Sequence, residues 1–117
     1  MFVLKKEPLA YFDVDDTLVI WNHPKAKEQG IKIECHGAIE VVVPHKRHIQ
    51  LLVEKAKAGN GIVVWSQGGY SWAYNVVKAL ALEMYVDIVL DKPYYFVDDL
   101  RASEFLTEDD RIYLPDK

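Results

Sequence analysis

The sequence predicts an α/β fold, with one parallel sheet of about five strands flanked by helices and a β-hairpin flap set into it. Three observations carry this. Short continuous apolar runs at 9–12, 62–65 and 94–97, and the short run Asp87-Ile88-Val89-Leu90, read as strands. Segments of helical periodicity lie between them. Strands that alternate with helices in this way imply parallel pairing and right-handed crossovers. Finally, one stretch, Ile31-Lys32-Ile33-Glu34-Cys35, alternates strictly and is followed by His36-Gly37, which marks a half-buried hairpin rather than a central strand.

In chain order, Leu9-Ala10-Tyr11-Phe12 forms the first strand and runs into Asp13-Val14-Asp15-Asp16-Thr17. A second apolar run, Leu18 to Trp21, leads to a polar loop from Asn22 to Gly30. The hairpin of 31–35 and 38–43 completes a flap over 18–43. Pro44 ends it and suits the first turn of a helix. Ile49, Leu52, Val53 and Ala56 then recur at helical spacing, with charged residues on the other face, until Gly59 and Gly61 stop the helix. Ser66-Gln67-Gly68-Gly69 breaks the next strand. Ser71 is the expected cap of a second helix that places Trp72, Val76, Val77 and Leu80 on its core face. Asp91-Lys92-Pro93 turns the chain into Tyr94-Tyr95-Phe96-Val97, closed by Asp98-Asp99. A short helix over 102–106 and an edge strand over 111–114 finish it.

A chain of 117 residues, 50% apolar and 27% charged, suits a single soluble domain over 1–117. The formal net charge of −4 argues against broad contact with a nucleic-acid backbone, although Lys46-Arg47-His48 makes one short positive patch. Cys35 is the only cysteine, which excludes an internal disulfide and an all-cysteine zinc site and fits a reducing compartment. Residues 1–6 do not read as a signal peptide, and no stretch approaches a membrane span, so a cytoplasmic protein with no membrane partner is expected.

In open parallel sheets, ligands bind outside the carboxyl ends of the strands. The four expected strand ends deliver Asp13, Ser66, Lys92 and the pair Asp98-Asp99 to that edge. Asp13 and Asp15 alternate along one strand and so leave on the same side. Two such charges about 4 Å apart repel by roughly 4 kcal/mol at an effective dielectric of about 20, so a proton, a basic group or a metal must offset them. Solvated loop carboxylates remain the plain alternative for this segment taken alone.

Taken together, these residues resemble the four motifs of the haloacid dehalogenase superfamily of phosphatases and phosphotransferases, in the right order and over nearly the whole chain. Asp13-Val14-Asp15-Asp16-Thr17 is similar to the first motif, Ser66 to the second, Lys92 to the third and Asp98-Asp99 to the fourth. The chain is similar to the small, cap-less, phage-like branch, and neither gap (18–43 or 67–91) has room for a cap. One departure is Asp16, where many members have Gly.

The resemblance implies a Rossmann-like fold and a Mg²⁺-dependent phosphatase acting on a phosphate monoester. Asp13 is then the nucleophile, forming an aspartyl-phosphate. Asp15 is the acid/base, protonated at the outset. Lys92 screens the nucleophile and the phosphate. Ser66, with backbone N–H groups of Gln67 and Gly68, binds the phosphoryl group, together with Thr17, which also orders the loop. Asp13, Asp15 (through its carbonyl), Asp98 and Asp99 make the Mg²⁺ site. The expected partner is a phosphorylated small molecule, polynucleotide end or phosphoprotein, and homo-oligomerisation is left open. Two other readings stand beside it: a non-catalytic phosphate- or Mg²⁺-binding interaction domain, and a phospho-acceptor signalling domain. His45 and His48 are expected on a solvated helix face. Tyr70 is the expected substrate contact, Trp72 and Tyr94 packing residues.

Overall fold

The structure, a computed structural model, describes residues 7–116; the expectation for residues 1–6 lies outside them. Two sheets form. The main one is three-stranded and parallel, in the order β1-β5-β6, from β1 (Glu7–Asp13), β5 (Asn60–Ser66) and β6 (Ile88–Asp91). The flap is antiparallel, in the order β2-β4-β3, from β2 (Val19–Ile20), β3 (Ile31–Cys35) and β4 (Ala38–Pro44). His36 and Gly37 both take positive φ, as a tight hairpin turn requires. Between β2 and β3 the expected loop contains a four-residue helix, α1 (Ala26–Gln29).

β5 is the central strand, and Ile62, Val63 and Val64 are buried because both of its faces are covered. The registers Phe12↔Val64 and Val64↔Val89 bring the carboxyl ends of the three strands to one rim, with Asp13 opposite Trp65 and Ser66 opposite Asp91. Helices α2 (Lys46–Lys57) and α3 (Tyr70–Ala79) complete the layers. Leu52 from α2 and Trp72, Ala73, Val76 and Val77 from α3 join Phe12, Val14, Leu18, Ile62 and Val64 in one core. Ile33 and Val42 extend that core into the flap, and Asn75 Nδ2 donates to the Glu34 carbonyl at 2.9 Å, tying the flap to α3.

Several expectations are corrected. The parallel sheet has three strands among the described residues, not five. Residues 94–97 form no strand; Tyr94 and Tyr95 are exposed and Val97 is fully so. An apolar run makes a strand only where a neighbour takes its backbone hydrogen bonds, and here Phe96 merely meets Phe105 edge-on. Residues 111–114 form no strand either. The short helix is present as α4 (Ala102–Phe105), followed by a 3₁₀ turn (Glu108–Asp110). α3 begins at Tyr70 after Gly69, so Ser71 is not its cap. α2 is capped by His45, whose side chain accepts the His48 N–H.

Candidate active site

Val14 anchors the turn at the end of β1. Its carbonyl accepts N–H bonds from Thr17, Leu18 and Val19 at 3.2, 2.9 and 3.1 Å, folding residues 14–19 into a tight loop under the buried Val14 side chain. Asp16 takes φ 58°, the left-handed region that Asp enters more readily than most residues, so Asp can stand where a Gly would be expected. Its carboxylate accepts the Trp21 N–H at 3.0 Å.

Asp13 emerges partly exposed at the rim. Thr17 Oγ1 donates to its Oδ2 at 3.0 Å, and Lys92 Nζ lies 3.5 Å from its Oδ1. Lys92 is placed by its backbone, whose N–H donates to the Ser66 carbonyl at 2.9 Å, and its ammonium also lies 5.8 Å from the centre of the Trp65 ring. Thr17 and Lys92 therefore share one carboxylate, Asp13.

Asp15 is held differently from the expectation. Its Oδ1 accepts from the indole N–H groups of Trp21 and Trp72, at 2.8 and 2.9 Å, and its Oδ2 accepts from Ser66 Oγ at 2.9 Å. An indole N–H only donates, so Oδ1 has no room for a proton. A proton on Asp15 belongs on Oδ2, facing Ser66. Ser66 is fully buried, and its Oγ also accepts the Gly68 N–H at 2.9 Å. It stands here as the partner of Asp15 rather than as an open phosphoryl donor. Gln67 and Gly68 are exposed beside it, and Gly69 takes φ 100° before α3. The Tyr70 N–H donates to Asp91 Oδ1, and the Tyr70 ring is exposed and stacks on Tyr74 at 5.8 Å.

Asp98 and Asp99 do not join this group. They lie in an exposed stretch without regular structure. The Asp98 carboxylate accepts the Leu100 N–H at 2.9 Å, and that bond, followed by hydrogen bonding with Asp99, holds its carboxyl below the usual range. Among the described residues, no three His, Cys, Asp or Glu side chains gather so as to hold a metal ion. The expected set Asp13, Asp15, Asp98 and Asp99 is therefore not assembled. With no strand at 94–97, nothing carries the last pair to the rim. The oxygen donors of Asp13 suit a hard cation, but alone they do not complete a Mg²⁺ site.

Sequence reasoning missed two pairs of residues. Trp21 and Trp72 clamp Asp15; the available signal was that a buried indole needs an acceptor for its N–H, and a carboxylate stood nearby. His45 and His48, expected in solvent, are buried with exposures of 0% and 2%. The Pro-His-x-x-His pattern at a helix start was their signal, because a histidine can cap a helix as well as face water.

No family model, curated protein or solved structure matches the chain significantly. Among the described residues no helix is long and apolar enough to cross a membrane.

Proposed function

We propose that the chain is a phosphoryl-transfer enzyme, a phosphatase of the haloacid dehalogenase kind that hydrolyses a phosphate monoester through an aspartyl-phosphate on Asp13. The observation that carries this is the pairing of one partly exposed carboxylate with a threonine hydroxyl and a lysine at the carboxyl rim of a parallel sheet, next to a Gly-rich turn entering a helix. The Asp13 carboxylate attacks phosphorus and the P–O bond to the leaving group breaks. Lys92 balances charge as the phosphoryl group arrives, in line with a reaction that asks mainly for positioning and electrostatic stabilisation. The leaving oxygen takes a proton relayed from solvent, and the Asp15 Oδ2–Ser66 Oγ pair is a site in this cluster that can pass one on. Water then cleaves the acyl phosphate, returning the Asp13 carboxylate and releasing phosphate. Asp13 by itself supplies too few oxygen donors to complete a Mg²⁺ site, and the steps above use only groups of the chain and water. A cytoplasmic location and a phosphorylated partner go with this reading.

A second reading draws on one observation. With Asp15 tied to two indoles and a serine, hydrolysis of the intermediate is slow and the domain behaves as a phospho-acceptor. One experiment separates the two: phosphate release from p-nitrophenyl phosphate, with and without Mg²⁺, by the wild type and by Asp13→Asn. Steady turnover that Asp13→Asn abolishes, with unchanged far-UV circular dichroism, supports the phosphatase. One equivalent of phosphorylation without turnover supports the acceptor. Turnover that survives Asp13→Asn overturns both.

A further inference from the structure

We propose that the buried His45–His48 pair and the chain segment Tyr113–Leu114 form a latch that holds the Asp13–Thr17 loop in its working shape, with His48 as a positioning residue. The two imidazoles stack at 3.7 Å and 9°. Their ring nitrogens are all engaged, which assigns the tautomers. His48 Nδ1 lies 2.8 Å from the Thr17 carbonyl, which only accepts, so Nδ1 carries the hydrogen; His48 Nε2 then accepts the Leu114 N–H at 2.8 Å. His45 Nδ1 accepts the His48 backbone N–H at 3.2 Å, so its Nε2 donates to the Leu114 carbonyl at 3.1 Å. Both polar groups of the Leu114 backbone are thus held by neutral rings, and the Tyr113 ring packs edge-on against both.

The reach into the site is direct. Three successive loop carbonyls are taken by this unit: Asp16 by the Tyr113 hydroxyl at 2.8 Å, Thr17 by His48, and Leu18 by the His45 N–H at 2.9 Å. Thr17 in turn holds Asp13 through its hydroxyl. The latch therefore sets where the Thr17 side chain stands, and with it one oxygen of the carboxylate proposed as nucleophile. Its effect on turnover rests on that proposal; the latch itself does not.

Protonating His48 puts an N–H against the Leu114 N–H. The groups that face the pair oppose such a charge. On α2 they are the neighbouring imidazole and Arg47. From the loop they are carbonyls. From the tail they are Tyr113, with Arg111 over its ring at 5.8 Å, while the Asp116 carboxylate is already paired with His23 at 2.7 Å. Burial first, then His45 and Arg47, lower the His48 pKa from 6.5, against a raising contribution from Thr17. Protons thus favour the open state. The latch is at full strength above pH 6.5, the ordinary histidine value, and weakens as pH falls below it, by at most about tenfold per pH unit for one histidine.

The test reads the latch and the chemistry separately. Exchange of the Leu114 amide, corrected for its intrinsic rate, is followed by NMR between pH 8 and 5. Turnover of p-nitrophenyl phosphate is followed over the same range for the wild type, Tyr113→Phe and Leu114→Pro. Tyr113→Phe removes one hydroxyl from an exposed ring; Leu114→Pro removes the donor to His48. Each should lower kcat roughly three- to tenfold with KM little changed, the size of one lost hydrogen bond. Leu114→Pro should also flatten the fall of kcat below pH 6.5. Leu114 protection that ignores pH overturns the latch, and so does wild-type kcat with a wild-type pH profile in Leu114→Pro. If the wild type shows no turnover, the phosphatase reading fails, and Leu114 exchange still decides the latch: pH-dependent protection supports it, pH-independent protection overturns it.

Discussion

The clamp on Asp15 makes a quantitative prediction. Trp72→Phe keeps a buried aromatic ring but removes the N–H that donates to Asp15 Oδ1 at 2.9 Å. A hydrogen bond to a charged acceptor contributes about 1.5–3 kcal/mol, and the lost part of the ring adds on the order of 1 kcal/mol. The Trp21 indole stays on the same oxygen, so the acceptor is not orphaned, and a total near 2.5 kcal/mol is expected. At about 2.1 cal/mol/K of unfolding entropy per residue, 117 residues give about 0.25 kcal/mol/K, so Tm falls by roughly 10 °C. The charge dependence is isolated by repeating the change in Asp15→Asn. Asn keeps the oxygen facing the indoles and offers an NH₂ to Ser66 Oγ, but it is neutral, and a neutral bond contributes only about 1 kcal/mol. The ring-volume contribution cancels between backgrounds, leaving a coupling of about 0.5 kcal/mol. Urea unfolding followed by far-UV circular dichroism measures it, since fluorescence would change with the tryptophan itself. Equal costs in the two backgrounds, within about 0.3 kcal/mol, would refute an ionised Asp15 held by indole donors.

Ser66→Ala takes a partner from both the Gly68 N–H and Asp15 Oδ2, in half-buried bonds around a fully buried hydroxyl, so a loss of about 1–3 kcal/mol is expected in the same unfolding measurement. Gly69→Ala should cost about 1–3 kcal/mol through its backbone alone, read as a lower urea midpoint at unchanged slope. Its φ is +100°, while an added Cβ would meet only Asp91 Oδ1 at 3.8 Å. Asp98→Asn changes an exposed group bonded to its own turn, so the urea midpoint should stay at the wild-type value. A large loss of stability there would mean that Asp98 is gathered into the rim after all.

The order of elements was readable because burial leaves a periodic mark. The run 62–65 proved to be the central strand because only a strand covered on both faces tolerates four apolar residues in succession. The alternation of 31–35, with Gly37 free to take positive φ, specified the hairpin. Asp13, Thr17 and Lys92 could be brought to one place from sequence because parallel strands in register align their carboxyl ends.

What the pattern could not decide was whether an apolar run finds a neighbour, and which partner a polar side chain takes. Residues 94–97 are as strand-like in composition as 62–65, yet among the described residues no strand lies beside them, so Asp98 and Asp99 stay in solvent. Trp21, Trp72 and Ser66 are far apart in sequence and meet on Asp15 only when the flap, α3 and β5 close around one loop. His45 and His48 sit at a spacing that also fits an exposed helix face; their burial depends on Leu114, more than sixty residues on, offering both backbone groups to their rings. Local sequence sets the periodicity of each segment. Hydrogen-bond partners are chosen by long-range packing, because a buried donor or acceptor must be satisfied by whatever the fold brings within about 3 Å.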